Sequence, residues 1–292
     1  MQKVLFVTLA VVLASGCGAS GRQQARRMLL QDYGGPGKSE TNDNNFNLNS
    51  LRIHATSGFD QRPITIKFET GTDPKLKRAA KAAASTWNEA VGFTLIDFTG
   101  EVPSMPPVLY ERLEDGINTF SVIRDWDALN IHHEVLGRTI WSNKTEDAAI
   151  DDPLAVNTDV IIGADILING ENYFLTDTTT VTEENYDPCL EYVDAESLFL
   201  HELGHLLGLA HTPFAEQSPM APAMWIGPDQ TNRTLTEMDR QRIRYIYVPG
   251  TPLPEEVEGS SEGYSVPVVI TSGAPISDES ETPVCAKTVV EN

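Results

Sequence analysis

The stretch that decides the fold runs from His201 to His211 and reads His-Glu-Leu-Gly-His-Leu-Leu-Gly-Leu-Ala-His. Residues four apart on a helix lie on one face, so His201 and His205 can direct imidazole nitrogens at a common point. Gly208 can take the positive φ that ends a helix sharply, and the turn can then bring back His211 as a third nitrogen. Three neutral imidazoles with one open position predict a catalytic zinc site, because structural zinc sites are closed by four protein ligands.

Glu202 directly follows the first predicted ligand. From there its carboxylate can reach water activated by the metal without being a ligand itself, which is the geometry that a general base needs. The pattern therefore assigns Glu202 as the catalytic base. Two alternatives to a zinc enzyme that acts on other molecules stay open. One is a non-catalytic zinc-containing surface lipoprotein or binding module, and the other is a protease that processes its own segment at 18–58. An intact Glu202 argues against the binding module, which has no use for an acid beside an open metal position.

The pattern HExxHxxGxxH, with Thr212 after the third histidine, resembles the metzincin metallopeptidases and within them the matrixins. Matrixins carry Ser or Thr at that place, where astacins carry Glu. The segment 218–222 looks like the Met-turn of this family, with Met220 as the methionine beneath the zinc and Met224 as its rival. Core filling is the alternative role for either methionine.

Two further segments support the resemblance, which covers about Pro63 to Val248. Residues 235–239 are similar to the start of the family's last helix, and residues 164–169 to a strand of its sheet. The resemblance implies an α+β, metzincin-like zincin with a twisted, mostly parallel β-sheet, an active-site helix, a long packing helix and a C-terminal helix. It implies a zinc endopeptidase that hydrolyses extracellular proteins or peptides by metal-activated water, with one catalytic Zn²⁺ and a polypeptide substrate bound along a sheet edge.

Three features of the family are not reproduced in the sequence. No cysteine-switch segment precedes residue 63, and the pair His132-His133 lacks the spacing of the second, structural zinc site. Calcium (Ca²⁺) is common in the family, but Asp151, Asp152 and Asp159 do not have the spacing of a binding loop. We therefore expect one zinc ion and assign no calcium site.

The elements around the motif follow from local patterns. Apolar alternation from 64 to 68 predicts a strand, and the next helix should be capped by Asp73, start at Pro74 and end at Gly92. Further strands are predicted at 93–98, 119–123, 136–141 and 160–169, and further helices at 195–207, capped by Asp194, and at 237–247, capped by Thr236.

The N-terminus is typical of an exported protein. Lys3 precedes an apolar run from Val4 to Leu13, which is too short to anchor a protein across a bilayer. Its end, Leu-Ala-Ser-Gly-Cys, looks like a bacterial lipobox with Cys17 as the lipidated residue; the alternative is an ordinary signal peptide with Cys17 incidental. We expect a cell-surface or outer-membrane lipoprotein, otherwise a secreted protein. In an oxidising compartment, Cys189 and Cys285 could form a disulfide.

Composition divides the chain into four parts: a signal peptide with lipobox at 1–17, a flexible linker or short pro-segment at 18–58, the catalytic domain at 59–248, and an acidic Pro/Ser-rich tail at 249–292. The formal charge of −21 would repel phosphate backbones, which excludes nucleic acid as a partner. We expect a monomer that meets a membrane only through an N-terminal lipid anchor.

Overall fold

The computed structural model describes residues 57–104, 116–144, 160–212, 217–221, 223–252 and 254, together with the backbone of two short segments at 3–6 and 26–29. Its strands are β1 Lys3–Phe6, β2 Arg26–Leu29, β3 Ile64–Glu69, β4 Ile96–Val102, β5 Asn118–Ile123, β6 Gly137–Lys144, β7 Val160–Asn169, β8 Phe174–Thr176, β9 Tyr192–Asp194 and β10 Ala223–Ile226. Its helices are α1 Pro74–Val91, α2 Ala195–Leu206 and α3 Glu237–Tyr247.

The centre of the fold is a sheet with the strand order β1-β6-β7-β5-β3-β4. The strands β7, β5, β3 and β4 run parallel to their neighbours, whereas β6 is antiparallel to β7. Strand β7 is almost wholly buried, which explains why its sequence is mainly apolar apart from Asp165 and Asn169, because central parallel strands are covered on both faces. The mixed, mostly parallel sheet and the three helices confirm the predicted metzincin-type fold class.

Helices α1 and α2 pack against each other through buried residues. Helix α1 starts with Asp73 accepting a hydrogen bond from Lys75 N and ends at Gly92, whose φ is +83°. Its Trp87 is fully buried and donates its indole N–H to Leu200 O of α2 at 3.0 Å. Helix α2 thus lies between α1 and the strands β6 and β7, enclosed on both sides. This position explains why nearly every residue of the metal-binding helix is buried.

The strand after α1 begins later than the sequence predicts. Strand β4 starts at Ile96 rather than Phe93, and the Phe93 side chain is 40% exposed. The reason is Asn88, whose side-chain oxygen accepts hydrogen bonds from Leu95 N and Ile96 N at 2.8 Å. These bonds hold the chain in a turn up to Leu95, so the strand can form only beyond it.

Two strands come from the part of the chain before residue 57. Strand β1, within the predicted signal peptide, pairs antiparallel with the outer edge of β6. Strand β2, within the predicted linker or pro-segment, pairs antiparallel with β10. Of the predicted tail at 249–292, only residues 249–252 and 254 are described. Among the described residues, no helix is both long enough and apolar enough to cross a membrane.

Candidate metal centre

The metal-binding helix α2 is fixed at its start by a buried carboxylate. Asp194 is fully buried and accepts hydrogen bonds from Ser197 N at 3.0 Å and Ser197 Oγ at 2.6 Å, which makes it the N-cap. Arg233 donates hydrogen bonds to the same carboxylate through two nitrogens and also donates one to Asp177 at 2.6 Å. The hydrogen bonds that Arg233 donates to Asp194 raise the pKa of Arg233. This pair sets the direction in which α2 enters the core.

Replacing Asp194 with alanine should lower the free energy of unfolding by about 3 kcal/mol, the lower end for breaking a buried ion pair, because Arg233 retains some access to water. Chemical denaturation measures the change. Asp177→Ala is the matched control, because Asp177 also binds Arg233 but its side chain is 48% exposed. This replacement should cost less than about 1 kcal/mol. Equal stability of Asp194→Ala and wild type would contradict this role.

The three predicted histidines meet at one point. The Nε2 atom of His205 lies 2.9 Å from that of His201 and 3.1 Å from that of His211, and the remaining pair is separated by 3.3 Å. All three side chains are buried. Gly208, with φ of +97°, ends the helix and turns the chain so that His211 returns. Within the described residues, this is the one cluster of His, Cys, Asp or Glu side chains close enough to hold a metal ion.

Two backbone carbonyls orient the rings. His201 Nδ1 lies 2.6 Å from Pro219 O, and His205 Nδ1 lies 2.8 Å from Leu209 O. A carbonyl oxygen only accepts, so each Nδ1 carries the ring proton and each Nε2 of the neutral ring presents a lone pair. Such hydrogen bonds are the usual support of metal-binding histidines.

The geometry fits a zinc ion. Three lone pairs this close repel each other unless a cation lies among them. Nitrogens bound tetrahedrally to one zinc at ~2.0–2.1 Å would be about 3.3 Å apart, close to the 2.9–3.3 Å separations of the Nε2 atoms. The donor set of three imidazoles also suits zinc better than calcium or magnesium, which prefer oxygen.

The segment after the third histidine passes beneath the metal-binding helix. Met220 is fully buried, and a Cβ placed on Gly204 would collide with its sulfur. Gly204 lies between His201 and His205 in the chain, so the absence of a side chain there lets Met220 pack against this turn of α2. The backbone N–H of Thr212 donates to Met220 O at 2.7 Å, which ties this turn to the third ligand. The rival methionine, Met224, belongs to β10.

Glu202 is buried next to the first strand residues of β6. Thr139 Oγ1 donates to Glu202 Oε2 at 2.7 Å and also lies 3.0 Å from the backbone oxygen of the same residue. A Cβ on Gly137 would lie 2.7 Å from Glu202 Oε1, so only glycine leaves room for the carboxylate. The predicted base is therefore held against β6, and it directly follows His201 on α2.

Residues 138–248 match the family model described as Matrixin. The chain carries a matrixin-like metzincin domain. The match runs from β6 to the end of α3 and so contains Thr139, all three histidines, Glu202 and Met220. Matrixins are metallopeptidases that depend on zinc, and the clustered histidines agree with that dependence. No curated protein matches this chain.

Other candidate residues lie away from the histidine cluster or outside the described residues. His132 and His133 stack on each other, and His132 lies 3.5 Å from Glu134. Cys189 is disulfide-bonded. The predicted partner Cys285 and the possible lipidation site Cys17 lie outside the described residues, so the pairing of Cys189 with Cys285 stays a prediction. The carboxylates Asp151, Asp152 and Asp159 also lie outside the described residues.

Sequence reasoning missed two described residues of β6 that lie against the Glu202 side chain, Thr139 and Gly137. Thr139 stands 63 residues before Glu202, and Gly137 is earlier still. Neither forms a pattern with the histidine motif, because their proximity comes from the packing of β6 against α2. A threonine in a predicted strand and a glycine at its start are ordinary in sequence and gave no signal of this role.

Proposed function

We propose that this protein is an exported zinc-dependent endopeptidase, with His201, His205 and His211 as ligands of one catalytic zinc ion and Glu202 as general base. One observation carries the proposal. Three histidine Nε2 atoms lie within 3.3 Å of each other, and the residue that follows the first histidine is a buried glutamate whose carboxylate a threonine hydroxyl orients. The matrixin family match supports the same activity.

A zinc ion bound there would act as a Lewis acid, polarising a peptide carbonyl and making water acidic enough to lose its proton near neutral pH. Glu202 would accept that proton at its carboxylate and deliver it to the nitrogen of the departing amine. Thr139 donates a hydrogen bond to Glu202 Oε2, so the carboxylate is already oriented before each turnover. The buried surroundings of Glu202 strengthen every interaction that it makes with charge.

The substrate in this proposal is an extended polypeptide that pairs with the outer edge of β6. That edge already accepts an antiparallel strand, with Phe6 opposite Ile140 and Lys3 opposite Asn143. Thr139 and Gly137 belong to the same strand and contact Glu202, so a peptide along the edge lies next to the base. We propose that β1 leaves with the signal peptide in a secreted or lipid-anchored mature protein, which frees the edge for substrate.

Endopeptidase activity is tested by incubating the purified mature domain with casein and with gelatin and reading the new termini by mass spectrometry. We expect internal cleavages that stop when a zinc chelator is added and resume when zinc is restored. A control without added protein identifies cleavages present in the substrate itself. A zinc-loaded protein that makes no internal cleavage in either substrate would favour the non-catalytic binding module instead.

A further inference from the structure

Arg242 is a charged residue in the core of the domain. It lies on α3 among the largest fully buried side chains, beside the apolar Ile243. Burying a guanidinium is costly unless its donors are satisfied and its charge is paired. The contacts of Arg242 therefore indicate what this buried charge is used for.

These contacts lie on both sides of the third predicted ligand. Arg242 Nη2 donates to Thr212 Oγ1 at 2.6 Å, and Nη1 donates to Ala210 O at 3.3 Å. Ala210 and Thr212 are the two neighbours of His211 in the chain. The planar guanidinium thus spans the backbone segment that carries the His211 ring, and its rigid fork fixes the spacing of these two points.

His211 needs this support more than the other two histidines do. His201 and His205 lie on α2, where helical hydrogen bonds hold the backbone. His211 follows Gly208 and lies beyond the helix, so its position depends on tertiary contacts. Besides the Arg242 bonds, the backbone N–H of Thr212 donates to Met220 O at 2.7 Å.

The charge of Arg242 is balanced by Asp239, which is also fully buried. Arg242 Nη2 donates to Asp239 Oδ1 at 2.5 Å. Asp239 also accepts hydrogen bonds from Ser218 Oγ at 2.8 and 2.9 Å, and Ser218 Oγ accepts one from Met220 N at 3.0 Å. One ion pair of α3 is therefore connected both to the third ligand and to the turn beneath the ligands.

We infer that Arg242 is a positioning residue that holds His211 in place for the metal, with α3 serving as the rigid support. The inference rests on the proposed zinc site. A merely structural Arg242 would change stability alone, whereas a positioning Arg242 changes how the metal is bound.

The test measures zinc affinity by competition with a chromogenic chelator, and the visible spectrum of the cobalt-substituted protein, for Arg242→Lys and Thr212→Val. Lysine keeps the charge that balances Asp239 but cannot bridge Ala210 O and Thr212 Oγ1 with one planar group. We expect Arg242→Lys to bind zinc about 10–100-fold more weakly, the usual effect of losing a group that supports a metal ligand. Thr212→Val, which keeps the Arg242–Asp239 pair, should weaken binding in the same direction by less, and both variants should alter the cobalt spectrum.

Ile243→Ala is the matched control, because it creates a cavity at the neighbouring buried position of α3 while keeping the hydrogen bonds from Arg242 to Ala210 and Thr212. It should lose stability while keeping wild-type zinc affinity and cobalt spectrum. The inference is overturned if Arg242→Lys behaves in the same way as Ile243→Ala. A wild-type protein that binds zinc but cleaves no polypeptide would defeat the proposed function and leave this inference standing, whereas a wild-type protein that binds no zinc would overturn both.

Discussion

Glu202→Ala is expected to lower kcat for peptide hydrolysis by about 10²–10⁴-fold, the contribution of a general acid–base group, while the protein keeps one zinc ion per chain. The reason is that Glu202 is not among the clustered ligand atoms, so the three imidazoles remain after its removal. Initial rates with a fluorogenic peptide and zinc analysis of the same preparation measure the two effects together.

Glu196→Ala is the matched control for Glu202→Ala. Glu196 is another carboxylate on α2, near the start of the helix and 3.6 Å from Arg233. Its replacement should leave kcat within a few-fold of wild type because it has no contact with the ligand cluster. Turnover by Glu202→Ala at the wild-type rate would refute the assignment of Glu202 as the base.

His205→Ala is expected to remove both zinc and activity. His205 is the central ligand, since its Nε2 makes the two shortest separations of the cluster, 2.9 and 3.1 Å. Loss of a ligand should weaken zinc binding by more than the ~10–100-fold that follows from loss of a supporting group. Zinc content after dialysis and the hydrolysis rate should therefore fall together, unlike in Glu202→Ala.

His132→Ala controls for the removal of a histidine as such. The His132 side chain is 59% exposed and stacks on His133, and the ligand cluster does not include it. Zinc content and hydrolysis should match wild type. A His205→Ala protein that retained a full complement of zinc and hydrolysed peptides would contradict the proposed ligand set.

The helices and strands that the sequence predicted well are determined by residues within or next to each element. Helix α3 has the bounds that its cap at Thr236 predicted, because Thr236 and Asp239 form a reciprocal capping box four residues long. Strand β7 matches its predicted range because its sequence is mainly apolar, with Asp165 as the one charged residue. The three predicted zinc ligands could be recognised from the sequence for the same reason. Two of the histidines are one helical turn apart, and the third follows a turn at a glycine.

What sequence could not predict depends on contacts between distant segments. Strands β8, β9 and β10 have only three or four residues, too few to show a period. Thr139 gains its role only because β6 packs against α2, and Arg242 lies 30 residues from Thr212. A charged residue in a helix usually faces solvent, so its local sequence gives no sign that Arg242 is buried.

X-ray absorption at the zinc edge of the purified mature protein tests the central claim most directly. We predict three imidazole nitrogens at ~2.0–2.1 Å and one further oxygen donor that is exchangeable with solvent. A sulfur ligand at ~2.3 Å, or a fourth imidazole in place of the oxygen, would show a site closed by protein side chains and would contradict the proposed protease.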